Sequence, residues 1–239
     1  MPAERYYFPH VFQHGTYLSI KDQEFHHLVN VMRSRQGDSI ELVNGKGQLA
    51  TGIIDIIEKK SAVIKIEEIY VESPSPKKLI LAQGIPRLNR LEFILEKGTE
   101  LGMSEIWLFP AIHSEKKIFS ENQLERLQSI IIAAMKQSGR LFLPDLKILP
   151  QLKQWPMLPK ASFFGDLRSE APILANVWPS YANCDETLFV IGPESGFDER
   201  EILQLEKLGA LGVKLHPNIL RTDTAAITAL SLLSHWMLT

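Results

Sequence analysis

The sequence predicts an α/β protein in which a small, mostly β part precedes a larger domain with a mostly parallel sheet. Strand-like and helix-like segments alternate along the C-terminal two thirds, which is typical of parallel α/β domains. Runs of β-branched residues dominate the N-terminal part, and Pro74 and Pro76 interrupt regular structure between the two. A length of 239 residues suits one large domain plus one small domain.

In the N-terminal part, segments 39–44, 48–57 and 62–70 predict strands connected as hairpins. Gly45, Lys46 and Gly47 predict the turn between the first two. Residues 45–50 resemble a dinucleotide-binding motif, but that motif requires a strand-to-helix turn, so the hairpin turn is preferred. We place domain boundaries at 1–72 and 77–239, with 73–76 as a stiff linker.

In the C-terminal part, short apolar runs predict buried parallel strands, and apolar residues spaced three or four apart predict helices between them. Ser120 with Gln123, and Asp198 with Glu201, form capping patterns that begin two helices, and Gly209 is expected to end the second. The predicted strands are 79–84, 105–110, 161–165, 187–192 and 212–215, and a final helix spans 224–237.

Composition excludes several classes of protein. The net charge is −2 and 45% of residues are hydrophobic, so neither a disordered chain nor a uniformly basic one is expected, and any nucleic-acid surface must be local. One cysteine, Cys184, suits a reducing compartment, and no apolar run is long enough to span a membrane. We therefore expect a soluble cytoplasmic protein with no membrane partner.

Three common kinds of site are not supported by the residue spacing. No Walker A motif occurs, and the adjacent His26 and His27 have no metal-ligating neighbour at helical spacing, so no metal site is expected. Ser195 has glycines three residues before it and one after, whereas a nucleophile elbow needs two and two. A serine hydrolase is therefore a remote alternative.

Two loops that follow consecutive strands, 191–197 and 215–222, are the most informative features. Ligands of open α/β sheets bind beyond the carboxyl ends of the strands, where loop backbone groups are available. Gly192 and Gly196 allow close approach of the backbone, and prolines stiffen both loops. Ordinary turn chemistry is the alternative explanation.

Seven motifs in order extend over nearly the whole chain. They are Arg5 to Phe8, His26 to Arg33 with Gly37 and Asp38, Leu81 to Gln83, Lys97 to Gly102, Gln137 to Arg140, Ile191 to Glu194 with Gly196 and Phe197, and Ile219 to Thr222 with Thr224 and Ala225. Together they resemble the RsmE family, SPOUT-class methyltransferases that use S-adenosylmethionine to methylate N3 of a uridine in 16S ribosomal RNA. The resemblance implies an N-terminal PUA-like β-barrel that binds RNA, and a SPOUT domain with a deep trefoil knot.

The resemblance also implies site residues. The cofactor would be bound by residues of the two loops: Ile191, Gly192, Pro193, Glu194, Gly196, Leu215, His216, Ile219, Leu220 and Arg221. Arg140 or Arg221 would stabilise an anionic uracil, and Glu194 would bond the substrate or act as base, although it could equally bond local N–H groups. Arg5, Arg33, Arg35 and Lys46 are candidates for contacts to RNA phosphates, with ordinary solvated charge as the alternative, and the resemblance favours Arg33 most.

The chain departs from the family pattern at several positions: Lys116, Lys136, Ser195, His216, Asn218 and Asp223. None of these removes a pocket built from backbone groups, so methyl transfer remains the leading interpretation. The alternative is a non-catalytic RNA-binding or ribosome-assembly protein with the same fold. A homodimer is also expected, because the final helix has an apolar stripe from Ile227 to Met237 and SPOUT enzymes pair through their knotted domains.

Overall fold

The computed structural model describes residues 4–115 and 117–238 and divides the chain into two compact units. The first unit contains residues 1–74 and 132–143, and the second contains 75–131 and 144–239. The shorter segment of the first unit therefore comes from the middle of the chain. Within the described residues, no helix is long and apolar enough to cross a membrane.

The first unit is built on a five-stranded sheet in the order β1-β3-β4-β5-β2. All its pairings are antiparallel except that of β1 with β3, and apolar side chains on one face form a core. Its elements are β1 (Arg5–Tyr7), β2 (Tyr17–Lys21), α1 (Asp22–His26) continued by a π-helical turn (His27–Val31), β3 (Ser39–Val43), β4 (Gln48–Ile57) and β5 (Ser61–Val71). The predicted hairpin turn at Gly45 and Gly47 is confirmed, and both glycines have positive φ.

Segment 132–143 completes the core of this unit. Met135 and Leu141 are buried against Val43, and the backbone of Gly47 donates a hydrogen bond to the Leu141 carbonyl. Phe142 forms an isolated bridge with Lys46. The hairpin turn is thus paired with residues about a hundred positions away, which local sequence patterns do not reveal.

The second unit contains a six-stranded sheet in the order β11-β9-β10-β6-β7-β8, and every pairing in it is parallel. The predicted parallel α/β domain is confirmed. Its strands are β6 (Lys78–Gly84), β7 (Glu105–Phe109), β8 (Asp145–Ile148), β9 (Ala161–Gly165), β10 (Glu186–Ile191) and β11 (Leu211–Val213). Strand β8 is not predicted from the sequence, because it is a short edge strand with mostly exposed side chains.

The α-helices that follow β6 along the chain are α2 (Leu88–Glu100), α3 (Glu121–Ser138), α4 (Leu174–Val177), α5 (Glu199–Lys207) and α6 (Thr222–Trp236). The capping box of Asp198 and Glu201 is confirmed, and Gly209 follows α5 at φ +89° as its terminating residue. Helix α6 packs against α2, β6 and β10. Leu230 and Leu233 of its apolar stripe are buried, whereas Ile227 and Met237 remain partly exposed, so half of the stripe belongs to the core.

Candidate functional site

A cavity of about 790 Å³ lies at the carboxyl ends of β9, β10 and β11. Its volume is within the range of small-molecule sites. Three loops line it, residues 165–168, 191–197 and 215–222, and Arg90 of α2 and Ala225 of α6 contribute as well. Two of these loops were predicted from the sequence. All ten cofactor-binding residues proposed there line this cavity.

The loop after β10 is a tight turn whose glycines have different roles. The N–H of Gly196 donates to the carbonyl of Pro193, and Gly196 has φ +73°, a conformation that side chains disfavour. A Cβ on Gly192 would lie 3.1 Å from the carbonyl carbon of Gly196. A side chain at Gly192 would therefore crowd the turn, and one at Gly196 would be disfavoured by the backbone conformation.

Glu194 attaches this loop to the beginning of α2. Its Oε1 accepts a hydrogen bond of 3.0 Å from the N–H of Arg87 and lies 3.4 Å from Nε of Arg90. Arg90 in turn donates to both carboxylate oxygens of Asp223, each at 2.9 Å. The local N–H contact that the sequence analysis left open for Glu194 is present, and Arg90 connects the loop with α6.

The third loop was not proposed from the sequence. Asp166, only 6% exposed, accepts hydrogen bonds from Nε and Nη2 of Arg168, and Glu206 accepts another from Nη2 at 2.6 Å. Burial raises the pKa of Asp166 and the bonds from Arg168 lower it; the bonds prevail, so the pKa lies below its ordinary value. A Cβ on Gly212 would collide with Asp166. Asp166 directly follows the predicted strand 161–165. The other two loops were predicted because they too follow predicted strands, so the same signal could have identified this one.

Arg221 differs from the other two arginines of the cavity. Arg90 and Arg168 each pair with two carboxylates, whereas in the described part of the chain the exposed guanidinium of Arg221 has no hydrogen bond or ion pair. Arg221 lies at the N-cap position of α6. Its charge is thus available to an anionic group in the cavity.

The remaining predicted site residues belong to the first unit, and Arg140 does not line the cavity. Burial lowers the pKa of the Arg140 guanidinium, although it stays charged at neutral pH. Arg5 is 12% exposed and bonds Glu41 and the carbonyl of Gly139. Arg33, Arg35 and Lys46 are exposed.

The departures from the family pattern have local partners. Lys136 pairs with Glu24 at 2.7 Å, and Asp223 pairs with Arg90. The N–H of Asn218 donates to Nδ1 of His216, so these two departures contact each other. Lys116 lies outside the described residues.

Ser195 is expected to be dispensable. It lies in the turn from Pro193 to Gly196, and His216 accepts a hydrogen bond from Asn218 instead of serving as a base for Ser195. Ser195→Ala should therefore retain methyl transfer, and Ser195→Gly should retain or improve it, because glycine is the usual family residue. Initial rates with radioactive cofactor test this, and complete loss of activity in Ser195→Ala would contradict it.

Comparisons with known proteins agree with this architecture. The profile described as RNA methyltransferase domain matches residues 73–234, and that described as RNA methyltransferase PUA domain matches 20–67. A Bacillus subtilis protein named ribosomal RNA small subunit methyltransferase E is 31% identical over 228 residues, covering 91% of this chain and 89% of the relative.

Two solved structures cover 98% of this chain and 98% of their own. One is a putative methyltransferase from Legionella pneumophila in complex with the cofactor SAM, with TM-score 0.89 and 30% identity. The other is ribosomal RNA small subunit methyltransferase E from Neisseria gonorrhoeae bound to S-adenosyl methionine, with TM-score 0.86 and 29% identity.

A parallel α/β domain with a cavity at its strand ends, preceded by a PUA-like domain, defines the class of two-part RNA methyltransferases. Within that class, the chain belongs to the ribosomal RNA small subunit methyltransferase E family. The resemblance identified from the motifs is confirmed.

Proposed function

We propose that this protein transfers a methyl group from S-adenosylmethionine to N3 of a uridine in 16S ribosomal RNA of the small ribosomal subunit. The observation that carries the proposal is the cavity that three loops form at the ends of β9, β10 and β11, in a chain of this family. Two similar structures are described as bound to the same cofactor. Such a substrate would place the protein in the cytoplasm.

The residues of the cavity fit S-adenosylmethionine. Apolar side chains, among them Ile191, Phe197 and Val213, suit an adenine ring. Residues 191–197 all line the cavity, and a Cβ at Gly192 would crowd their tight turn, at 3.1 Å from the carbonyl carbon of Gly196. The cofactor also has ionic and polar groups, and the rim of the cavity has both arginines and carboxylates.

The mechanism requires a uridine N3 that has lost its proton and is aligned with the methyl donor. When bound, S-adenosylmethionine supplies an electrophilic methyl group on its sulfonium. The guanidinium of Arg221 is proposed to stabilise the negative charge of the uracil, because it has no carboxylate partner among the described residues. Arg140 is the second candidate for this role.

Glu194 is proposed to orient the site. Its carboxylate accepts a hydrogen bond from Arg87 and faces Arg90, which favours a role in holding the loop over one as the base. The direct role as base that the motifs suggested stays a second proposal. A Glu194→Gln variant separates them, since the amide oxygen keeps the N–H contact but cannot take a proton; retained kcat would exclude the base.

The PUA-like domain is proposed to bind RNA through three basic residues, called here the RNA surface: Arg33 and Arg35, which precede β3, and Lys46, which follows it. All three are exposed, and neither unit is basic overall. Arg5 is proposed to support this surface, because its guanidinium bonds Glu41 and Gly139. Phosphate contacts of this kind weaken as salt is raised.

Arg33→Gly is expected to weaken RNA binding without loss of stability. Arg33 has φ +57° at the residue after a helical turn, where glycine is favoured, so the substitution relieves strain while removing a charge. The dependence of log K on log salt should fall by roughly 0.7–0.9, as for one lost phosphate contact. The control is Arg126→Met, which removes an exposed charge of the second unit and should leave the slope unchanged. Methionine is chosen there instead of glycine because Arg126 lies within a helix. An unchanged slope in Arg33→Gly would remove Arg33 from the RNA path.

A homodimer is proposed from the partly exposed Ile227 and Met237 of α6 and from the family resemblance. Sedimentation at micromolar concentration tests it, and a monomer of 27.1 kDa would contradict it. Such a dimer would have two copies of the RNA surface, one on each subunit.

A trefoil knot is also proposed for the second unit. The chain passes from β10 to β11, on the far side of β9, and then returns to α6 beside β6 and β10, as a threaded path requires. Joining the chain ends covalently in the folded state would trap a knot. Chains circularised while folded and chains circularised after unfolding should then migrate differently under denaturing conditions. Identical migration would contradict the knot.

Two measurements test the function itself. Mass spectrometry of 16S ribosomal RNA from cells with and without the gene should show one methylated uridine that depends on the gene. Calorimetry with S-adenosylmethionine should show binding, whereas a non-catalytic RNA-binding or assembly protein would show neither heat nor a thermal shift.

A further inference from the structure

The carbonyl of Gly192 is held by two buried side chains from distant parts of the second unit. Nε2 of Gln83, at the end of β6, donates to it at 3.0 Å. Oγ1 of Thr222, the first residue of α6, donates to it at 2.6 Å. Gln83 is fully buried and Thr222 is 6% exposed.

Nε2 of Gln83 also lies 3.0 Å from Oγ1 of Thr222 and 2.9 Å from the carbonyl of Gly84, so its two N–H groups are shared among three acceptors. Thr222 makes the shorter of the two contacts to the Gly192 carbonyl, 2.6 Å against 3.0 Å. The peptide group between Gly192 and Pro193 is thus oriented by the interior of the unit.

Packing adds a second constraint at the same place. A Cβ on Gly84 would lie 2.8 Å from Cδ of Pro193, so the loop rests directly on the end of β6. The loop therefore has both a polar and a steric contact with β6, while Thr222 ties it to α6, next to Arg221.

We propose that Gln83 and Thr222 are positioning residues that fix the Gly192 carbonyl and thereby set the affinity of the 191–197 loop for S-adenosylmethionine. This inference rests on the proposed function. Thr222 lines the cavity, whereas Gln83 is not among its lining residues. Both act through the loop backbone, whose shape would otherwise have to be ordered each time the cofactor binds.

The test compares isosteric substitutions of two buried threonines. Thr222→Val removes the hydroxyl that donates to the Gly192 carbonyl, whereas Thr222→Ser keeps it. Thr187→Val is the matched control, because Thr187 is fully buried in β10 and its hydroxyl has no hydrogen-bond partner among the described residues. Calorimetry with S-adenosylmethionine, well below each variant's melting temperature, gives the Kd.

Thr222→Val should raise the Kd about tenfold and the cofactor KM with it, and should leave the affinity for RNA unchanged. Thr222→Ser and Thr187→Val should stay within about twofold of the unaltered protein. Gln83→Leu, which leaves several acceptors without their donor, should weaken binding further if it folds, and Thr222→Val decides the question if it does not.

An unchanged Kd in Thr222→Val, or an equal loss in Thr187→Val, would overturn the inference while the proposed function stands. Absence of cofactor binding by the unaltered protein would overturn the proposed function, and the inference with it. The two failures are therefore distinguished by the unaltered protein alone.

Discussion

Replacing Arg221 by methionine is expected to lower kcat for methyl transfer by about 10²-fold. Arg221 lines the cavity, and its guanidinium has no partner in the described part of the chain, so no other group of the site depends on it. Removing one preorganised donor to a developing negative charge typically costs 10²–10³ in kcat. Steady-state kinetics with a 16S ribosomal RNA substrate, together with the Kd for the cofactor, measure the effect.

The Kd for S-adenosylmethionine should change less than about threefold, because methionine keeps the apolar stem. Arg221→Lys should recover part of the rate, since it keeps the charge but not the planar fork. Arg126→Met is the control: Arg126 has an exposed ion pair with Glu92, and such pairs contribute little. Unchanged kcat in Arg221→Met would remove Arg221 from the mechanism, and loss in a parallel Arg140→Met would assign the role to Arg140.

Valine at Gly192 or Gly196 is expected to weaken cofactor binding more than tenfold, ~1.4 kcal/mol. At Gly192 the new Cβ would lie 3.1 Å from the carbonyl carbon of Gly196, so the turn would have to shift by a few tenths of an ångström. At Gly196 the space is open, and the cause is instead the φ of +73°, which costs a side chain about 1–2 kcal/mol. Calorimetry gives the affinities of both variants.

Gly209→Val provides a matched control for Gly196→Val. Gly209 also has a positive φ, +89°, with open space around its Cβ position, but it ends α5 and does not line the cavity. Both variants should lose similar stability in thermal unfolding, and only Gly196→Val should lose affinity. Equal affinity for S-adenosylmethionine in Gly192→Val, Gly196→Val and Gly209→Val would contradict the assignment of this loop to the cofactor.

The sequence was most informative where structure depends on near neighbours. Asp198, Glu201 and Gly209 lie within one helix and its ends, so their pattern predicted where α5 begins and ends. Gly45 and Gly47 predicted a hairpin turn because a short connection between strands requires positive φ. Short segments such as β1 and β8 were missed, because three or four residues show no clear periodicity.

Patterns along the chain were by themselves enough to determine the alternating α/β order, the ends of α5, the family and two of the three loops of the site. Tertiary structure alone decided that Asp166 orients Arg168, that segment 132–143 completes the first unit, and that Gln83 and Thr222 hold the Gly192 carbonyl. The reason is physical: Gln83, Gly192 and Thr222 meet only because β6 and β10 are neighbours in the sheet and α6 returns to them. Contacts between residues so distant in sequence depend on strand order, which local propensity does not encode.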